Sequence, residues 1–93
     1  MAKEKKTYRE LERIARGFSN HRRIQIMELL HKKPELSVDE IANELDVNFK
    51  TISEHIRRLA ISAIVLKRPD GSSVRHKITK RGVDILKFLR TLE

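Results

Sequence analysis

Apolar positions first recur at helical spacing: Tyr8, Leu11, Ile14 with Ala15, and Phe18 follow a three-to-four residue step. Thr7 with Glu10 three positions on forms a capping box at the start of this helix, and Gly17 weakens its end. Ser19 and Asn20 offer the next N-cap, ahead of a stripe made by Ile24, Ile26, Met27 and Leu30. The second helix must stop before Pro34, because the residue preceding a proline disfavours the α region.

Ser37 and Glu40 form a second capping box, opening a short helix with Val38, Ile41, Ala42 and Leu45 inward. Asp46-Val47-Asn48 is the turn, and Asn48 caps a fourth helix whose core face is Ile52, Ile56 and Leu59. Ile64 to Lys67 reads as a strand. Pro69-Asp70-Gly71-Ser72-Ser73 reads as a turn, and the alternating Val74 to Ile78 as the return strand. Thr79 caps a last helix with apolar residues at 83, 85, 86, 88, 89 and 92. The pattern predicts one domain over 1–93, mainly α with a small β-hairpin: a winged helix-turn-helix of order α-α-α-α-β-β-α. Residues 1–6 are a frayed start, 37–61 the helix-turn-helix, 64–78 the wing hairpin and 80–92 the C-terminal helix.

Charge sharpens this picture. The 93 residues carry 21 Lys+Arg against 13 Asp+Glu, a formal +8. Residues 1–33 hold +6, residues 34–47 hold −5 with no basic side chain, and residues 48–93 hold +7. A basic domain with one acidic segment suits a polyanion binder whose cations face the ligand. The absence of cysteine excludes disulfides, thiolate metal sites and cysteine nucleophiles. No apolar run is long enough for a membrane span or signal peptide, so a cytoplasmic protein without membrane contact is expected.

In a helix-turn-helix the second helix enters the major groove and the first braces it. With Ile52, Ile56 and Leu59 inward, Lys50, Ser53, Glu54 and Arg57 point outward, flanked by Thr51 and Arg58. Lys50 and Arg57 suit guanine or phosphate, and Thr51 and Ser53 suit phosphate or base edges, beside the cap residue Asn48. A carboxylate facing phosphates is unfavourable unless Glu54 accepts from cytosine N4 or orients Arg57 or Arg58. On the hairpin, Lys67, Arg68, Arg75 and Lys77 surround the turn and suit phosphate contact.

The run Ser19 to Leu30, then Ser37 to Ala42, then Val47 to Leu59, with the hairpin and Thr79-Lys80-Arg81-Gly82, resembles ArsR/SmtB-type winged-helix repressors over roughly residues 10–92. MarR-type and other winged-helix regulators share much of the pattern. The resemblance implies double-stranded DNA as partner and a homodimer joined through the first and last helices. On this chain those helices offer Tyr8, Leu11, Ile85, Phe88, Leu89 and Leu92. The last helix, apolar on more than one face, independently asks for a second partner. His21 stands where the family usually has proline, and Ser62-Ala63 where it usually has Ala-Gly. If Ala63 takes positive φ it carries strain of ~1 kcal/mol. The family's metal-sensing ligands are missing: residues 37–46 contain no Cys or His, and Asp84 has no histidine in its helix. No metal or cofactor is expected, and no residue pattern names a small-molecule effector.

The four histidines, His21, His31, His55 and His76, show no metal-ligand spacing. His55 is expected to pack between helices with a hydrogen-bond partner, and His76 to pack or touch a phosphate. No Ser/His/Asp order, phosphate-cradling glycine loop or paired-carboxylate pocket points to an enzyme. The favoured function is sequence-specific duplex-DNA binding by a transcriptional regulator. Two alternatives remain open, a sequence-tolerant architectural DNA binder and a winged-helix protein-interaction module.

Overall fold

The computed structural model describes residues 4–93, so the first three residues of the expected frayed start lie outside the described residues. The order is α1 (Tyr8–Phe18), α2 (His21–Lys32), α3 (Val38–Leu45), α4 (Phe49–Ile61), β1 (Val65–Asp70), β2 (Ser73–Ile78) and α5 (Lys80–Arg90). Both capping boxes form: Thr7 Oγ1 accepts from the Glu10 N–H and Ser37 Oγ from the Glu40 N–H, with each glutamate closing back on its cap residue. Asn20 Oδ1 accepts from the N–H groups of Arg22 and Arg23 and starts α2.

The helix-turn-helix turn is built from backbone. At the end of α3, Asp46 adopts φ +54°, the Val47 N–H reaches Ala42 O at 3.1 Å and the Asp46 N–H reaches Asn43 O at 3.4 Å. This is the Schellman closure, which satisfies carbonyls the helix would otherwise orphan. Asn48 follows at once and caps α4, its Oδ1 accepting from the Thr51 N–H at 2.8 Å. The end of α4 repeats the device. The Ile64 N–H bonds Leu59 O at 2.9 Å, the Ala63 N–H bonds Ala60 O at 3.0 Å, and Ala63 takes φ +56°. Thr79 Oγ1 then donates to Ala63 O and Ile64 O while accepting from the Gly82 N–H, which ties the corner to the start of α5.

The core is Ile26, Met27 and Leu30 of α2, Ile41 and Ala42 of α3, Ile52, Ile56 and Leu59 of α4, then Ile64, Val65 and Leu86. It fixes the angle at which α4 leaves the body and roots the hairpin on it. The hairpin is longer than its hydrophobic pattern predicts. Strand β1 starts at Val65 and runs on through Pro69 to Asp70, which pairs with Ser73, so the turn shrinks to Gly71-Ser72. Gly71, at φ +63°, supplies the backbone a two-residue hairpin turn needs. Pro69 is tolerated because a two-stranded sheet leaves its missing N–H no obligatory acceptor.

Three further features depart from expectation. Gly17 does not end α1 but lies buried inside it, where an added Cβ would come within 2.6 Å of Ser62 Cβ. The glycine lets α1 approach the end of α4. The segment after α2 joins the wing through a bridge between Leu36 and His76, with the His76 N–H on Leu36 O at 3.0 Å and the Glu35 N–H on His76 O at 2.9 Å. Finally, α5 ends at Arg90, which leaves Leu92 beyond the helix and exposed.

Candidate nucleic-acid interface

The outer side of α4 is polar and charged. Lys50, Glu54, Arg57 and Arg58 are exposed, and Thr51 and Ser53 half-buried at its edges. Glu54 organises this face. Its two oxygens accept from Arg57 Nε at 3.1 Å and Nη2 at 2.7 Å, and Arg58 Nε lies at 3.3 Å. The bond from Arg57, ahead of the charge of both arginines, holds the Glu54 carboxyl below the usual carboxylate range. Asn48 is engaged through its side-chain oxygen in the cap, which leaves its amide nitrogen as a donor at the mouth of the helix. Phe49, beside it, is 55% exposed and shares a hollow of about 390 Å³ with Val74, Lys67 and Ser37. The pattern did not single out Phe49. Its signal is an aromatic one turn off the Ile52–Ile56–Leu59 stripe.

On the wing, Arg68 lies opposite Arg75, a like-charge cross-strand pair that would be unfavourable alone. Carboxylates offset it. Glu35 reaches Arg68 Nε at 2.5 Å, and Arg75 reaches Glu40 at 2.6 Å and Asp70 at 3.5 Å. Acidic residues 35 and 40 thus hold the wing against the bracing helix. Lys67 and Lys77 are exposed and have no ion pair among the described residues.

His76 is buried at 2% exposure, its Nδ1 on Leu36 O at 3.0 Å, and burial pushes its imidazole below the ordinary value against the raising effect of that bond. It therefore packs. His55 departs from expectation, since its Nδ1 is buried without a hydrogen-bond partner. Burial first, then the charges of Arg23, His21 and Arg22, lower its pKa, so the neutral ring needs no acceptor for a second proton. His21 and His31 are exposed. Among the described residues no three His, Asp or Glu side chains converge as metal ligands.

The residues read as a dimer face divide into two sets. Tyr8, Leu11, Phe88 and Leu92 are exposed, at 85%, 50%, 57% and 67%, while Ile85 and Leu89 are half-buried. Lys6, just before α1, shares a hollow with Ile85 and Phe88, so the start of α1 lies beside α5. Ile61 at the end of α4 is equally exposed and was not anticipated, because the helical period puts it on the side of the helix opposite the core stripe.

Residues 20–65 match the family described as bacterial regulatory protein, arsR family. No curated protein matches the chain in sequence. The fold is similar to the homodimeric winged helix-turn-helix DNA-binding domain of a possible ArsR-family transcriptional regulator from Mycobacterium bovis, with TM-score 0.80 and 25% identity over 90% of this chain and 78% of that one. It is also similar to the transcriptional regulator HlyU from Vibrio vulnificus, with TM-score 0.73 and 26% identity over 90% of this chain and 88% of that one. The transcriptional repressor BigR from Xylella fastidiosa shares the fold alone, with TM-score 0.74 and 21% identity over 90% and 83% of the two chains. These are regulators, not enzymes, and no helix among the described residues is long and apolar enough to cross a membrane. Element order and these shared folds make the chain a winged helix-turn-helix protein, similar over residues 20–65 to the arsR family.

Proposed function

We propose that the chain is a cytoplasmic, sequence-specific duplex-DNA-binding transcriptional regulator that acts as a homodimer and does not respond to metal. The observation that carries this is the outer face of α4, where Lys50, Arg57 and Arg58 surround Glu54 on a helix seated by Ile52, Ile56 and Leu59. Lys50 and Arg57 reach guanine or phosphate, Thr51, Ser53 and Asn48 reach base edges or backbone, and Glu54, bonded to Arg57 and near Arg58, orients these arginines. Lys77, with Arg68 and Arg75, contacts phosphates along the wing. Arg68 and Arg75 do so by exchanging a carboxylate for a phosphate oxygen. Tyr8, Leu11 and Phe88, exposed on the first and last helices, and Leu92 just beyond the last, support a two-fold interface completed by Ile85 and Leu89, and the Mycobacterium bovis domain is homodimeric. Independence from metal rests on the missing cysteines and on a last helix without histidine.

Affinity selection of a randomised duplex library at near-physiological salt tests the reading. An enriched inverted repeat with half-sites about one helical turn apart is the expected result. Retention without enrichment that collapses as salt rises would establish the architectural alternative. No retention would establish the protein-interaction alternative, with loss of partner capture on substituting Phe88 or Leu92 as its mark.

A further inference from the structure

Beside the helix-turn-helix, arginines of α1 and α2 converge with Arg58 of α4 at one corner of the molecule. Arg13 and Arg16 of α1 line a hollow of about 200 Å³ together with Arg58 of α4. Arg23 of α2 donates from Nη2 to Arg16 O at 3.3 Å, which joins the start of α2 to the end of α1. It lies within electrostatic reach of both Arg58 and Glu54, so the corner adjoins the exposed face of α4. Arg22, within electrostatic reach of His55 as Arg23 is, bonds the neutral Gln25 at 3.0 Å, and neither Arg22 nor Arg13 has an ion pair among the described residues. Two buried nitrogens there lack a partner, Arg23 Nε and His55 Nδ1. Elsewhere several cations hold carboxylates, Arg68 and Lys33 one each and Arg75 and Arg90 two each, while Lys67 and Lys77 on the wing hold none among the described residues. At this corner the described acids are Glu10, within electrostatic reach of Arg13 but bonded to Thr7, Glu12, on Arg16 at 3.4 Å, and Glu54, whose bonds go to Arg57 and Arg58. Like charges brought together without matching carboxylates destabilise the free protein unless an anion completes them.

We infer that this corner, formed by Arg13, Arg16, Arg22, Arg23 and Arg58, is a binding site for a backbone phosphate of duplex DNA flanking the groove that α4 enters. The inference rests on the DNA-binding reading above and extends its footprint to α1 and α2, where the sequence pattern placed no contact. An arginine is suited to phosphate because its planar fork presents paired donors. Such a contact carries no base information. It fixes the register of the recognition helix and steepens the salt dependence by about one unit of log–log slope per phosphate neutralised.

The test compares Arg13→Gln/Arg22→Gln with Lys32→Gln/Lys87→Gln, which removes the same charge from the groove between α2 and α5. Binding to a fluorescein-labelled mixed-sequence duplex about four helical turns long is followed by anisotropy between ~50 and ~200 mM KCl. The expected slope is shallower by about one unit per protomer, hence about two for a dimer, with the arginine pair and near that of the unaltered protein with the lysine pair. Equal slopes for the two variants would show bulk charge alone and overturn the inference. So would an arginine variant that lowers the thermal midpoint while keeping the full slope, since that marks a packing role. Failure of the unaltered protein to bind any duplex would instead overturn the DNA-binding reading itself.

Discussion

Two residues carry conformational or chemical tension that substitution can release. Ala63 closes α4 at φ +56°, in the left-handed region where a Cβ crowds the following carbonyl. Its side chain is exposed and packs nothing, so Ala63→Gly forfeits no contact. That change is expected to stabilise by about 0.5–1 kcal/mol, raising the thermal midpoint by a few degrees; an unchanged midpoint would show that the corner carries no strain. His76 is the second case. Its pKa in the folded protein lies below the ordinary value near 6.5, so the neutral ring's contribution is fully present above that pH. It is lost as the pH falls through the unfolded value towards the lower folded one. The thermal midpoint is therefore expected to drop between about pH 7.5 and pH 5, above the range where carboxylates titrate. His55 shifts in the same direction and contributes to the drop. His76→Phe keeps a planar ring, larger by one atom, and leaves Leu36 O bonded to the backbone N–H of residue 76, so that part of the drop should vanish whatever the change in the midpoint itself. A full drop in the variant would remove His76 as the cause. The strain at Ala63 was legible in the sequence from an alanine standing where the family has glycine. The burial of His76 was legible only as packing, because its partner Leu36 is 40 residues away and carries no local signal.

At the scale of elements, caps and apolar periods were enough to place the helices, since Thr7, Asn20, Ser37, Asn48 and Thr79 all cap as their spacing indicates. What escaped was the choice of tertiary partners. Gly17 read only as weakening the end of its helix, because the residue it faces, Ser62, caps another helix. Gly17→Ala should cost about 1–3 kcal/mol by overpacking, measured by denaturant unfolding. Adding Ser62→Gly, which opens the facing space, should recover much of it. If the double variant is as unstable as the sum of the two singles, the contact is not what constrains position 17. The wing shows the same limit. Its four cations were visible in the sequence, but their pairing with acids before and within α3 was not. That pairing separates Arg75 from Lys77. Arg75 already has Glu40 and Asp70 beside it, so gaining a phosphate exchanges one anion for another and releases little salt. Lys77→Ala is therefore expected to flatten the salt dependence of DNA binding by about one unit, and Arg75→Ala by clearly less while loosening the wing. Equal flattening would mean the carboxylates do not hold Arg75 in solution.

For the molecule as a whole, the decisive question is how a domain this small presents enough contacts to read DNA. On the proposed reading, one recognition helix and one wing touch a single half-site, and pairing two copies turns the second contact into an intramolecular event. Tyr8, Leu11, Phe88 and Leu92 lie on the first helix and the end of the last, away from the buried core. Because Phe88 and Leu92 are more than half exposed, placing charge there leaves the protomer's own packing intact. Phe88→Glu/Leu92→Glu is expected to halve the mass measured by light scattering while preserving the helical circular dichroism spectrum. Affinity for an inverted repeat should then fall by roughly 10²–10⁴, the range that linked binding supplies, whereas affinity for an isolated half-site should hardly change. In the unaltered protein the thermal midpoint should rise with protein concentration, and in the variant it should not. A variant that keeps its mass would move the interface off these helices. A variant that becomes monomeric yet binds the inverted repeat undiminished would show that each copy reads its half-site alone, leaving the exposed apolar face to some other partner.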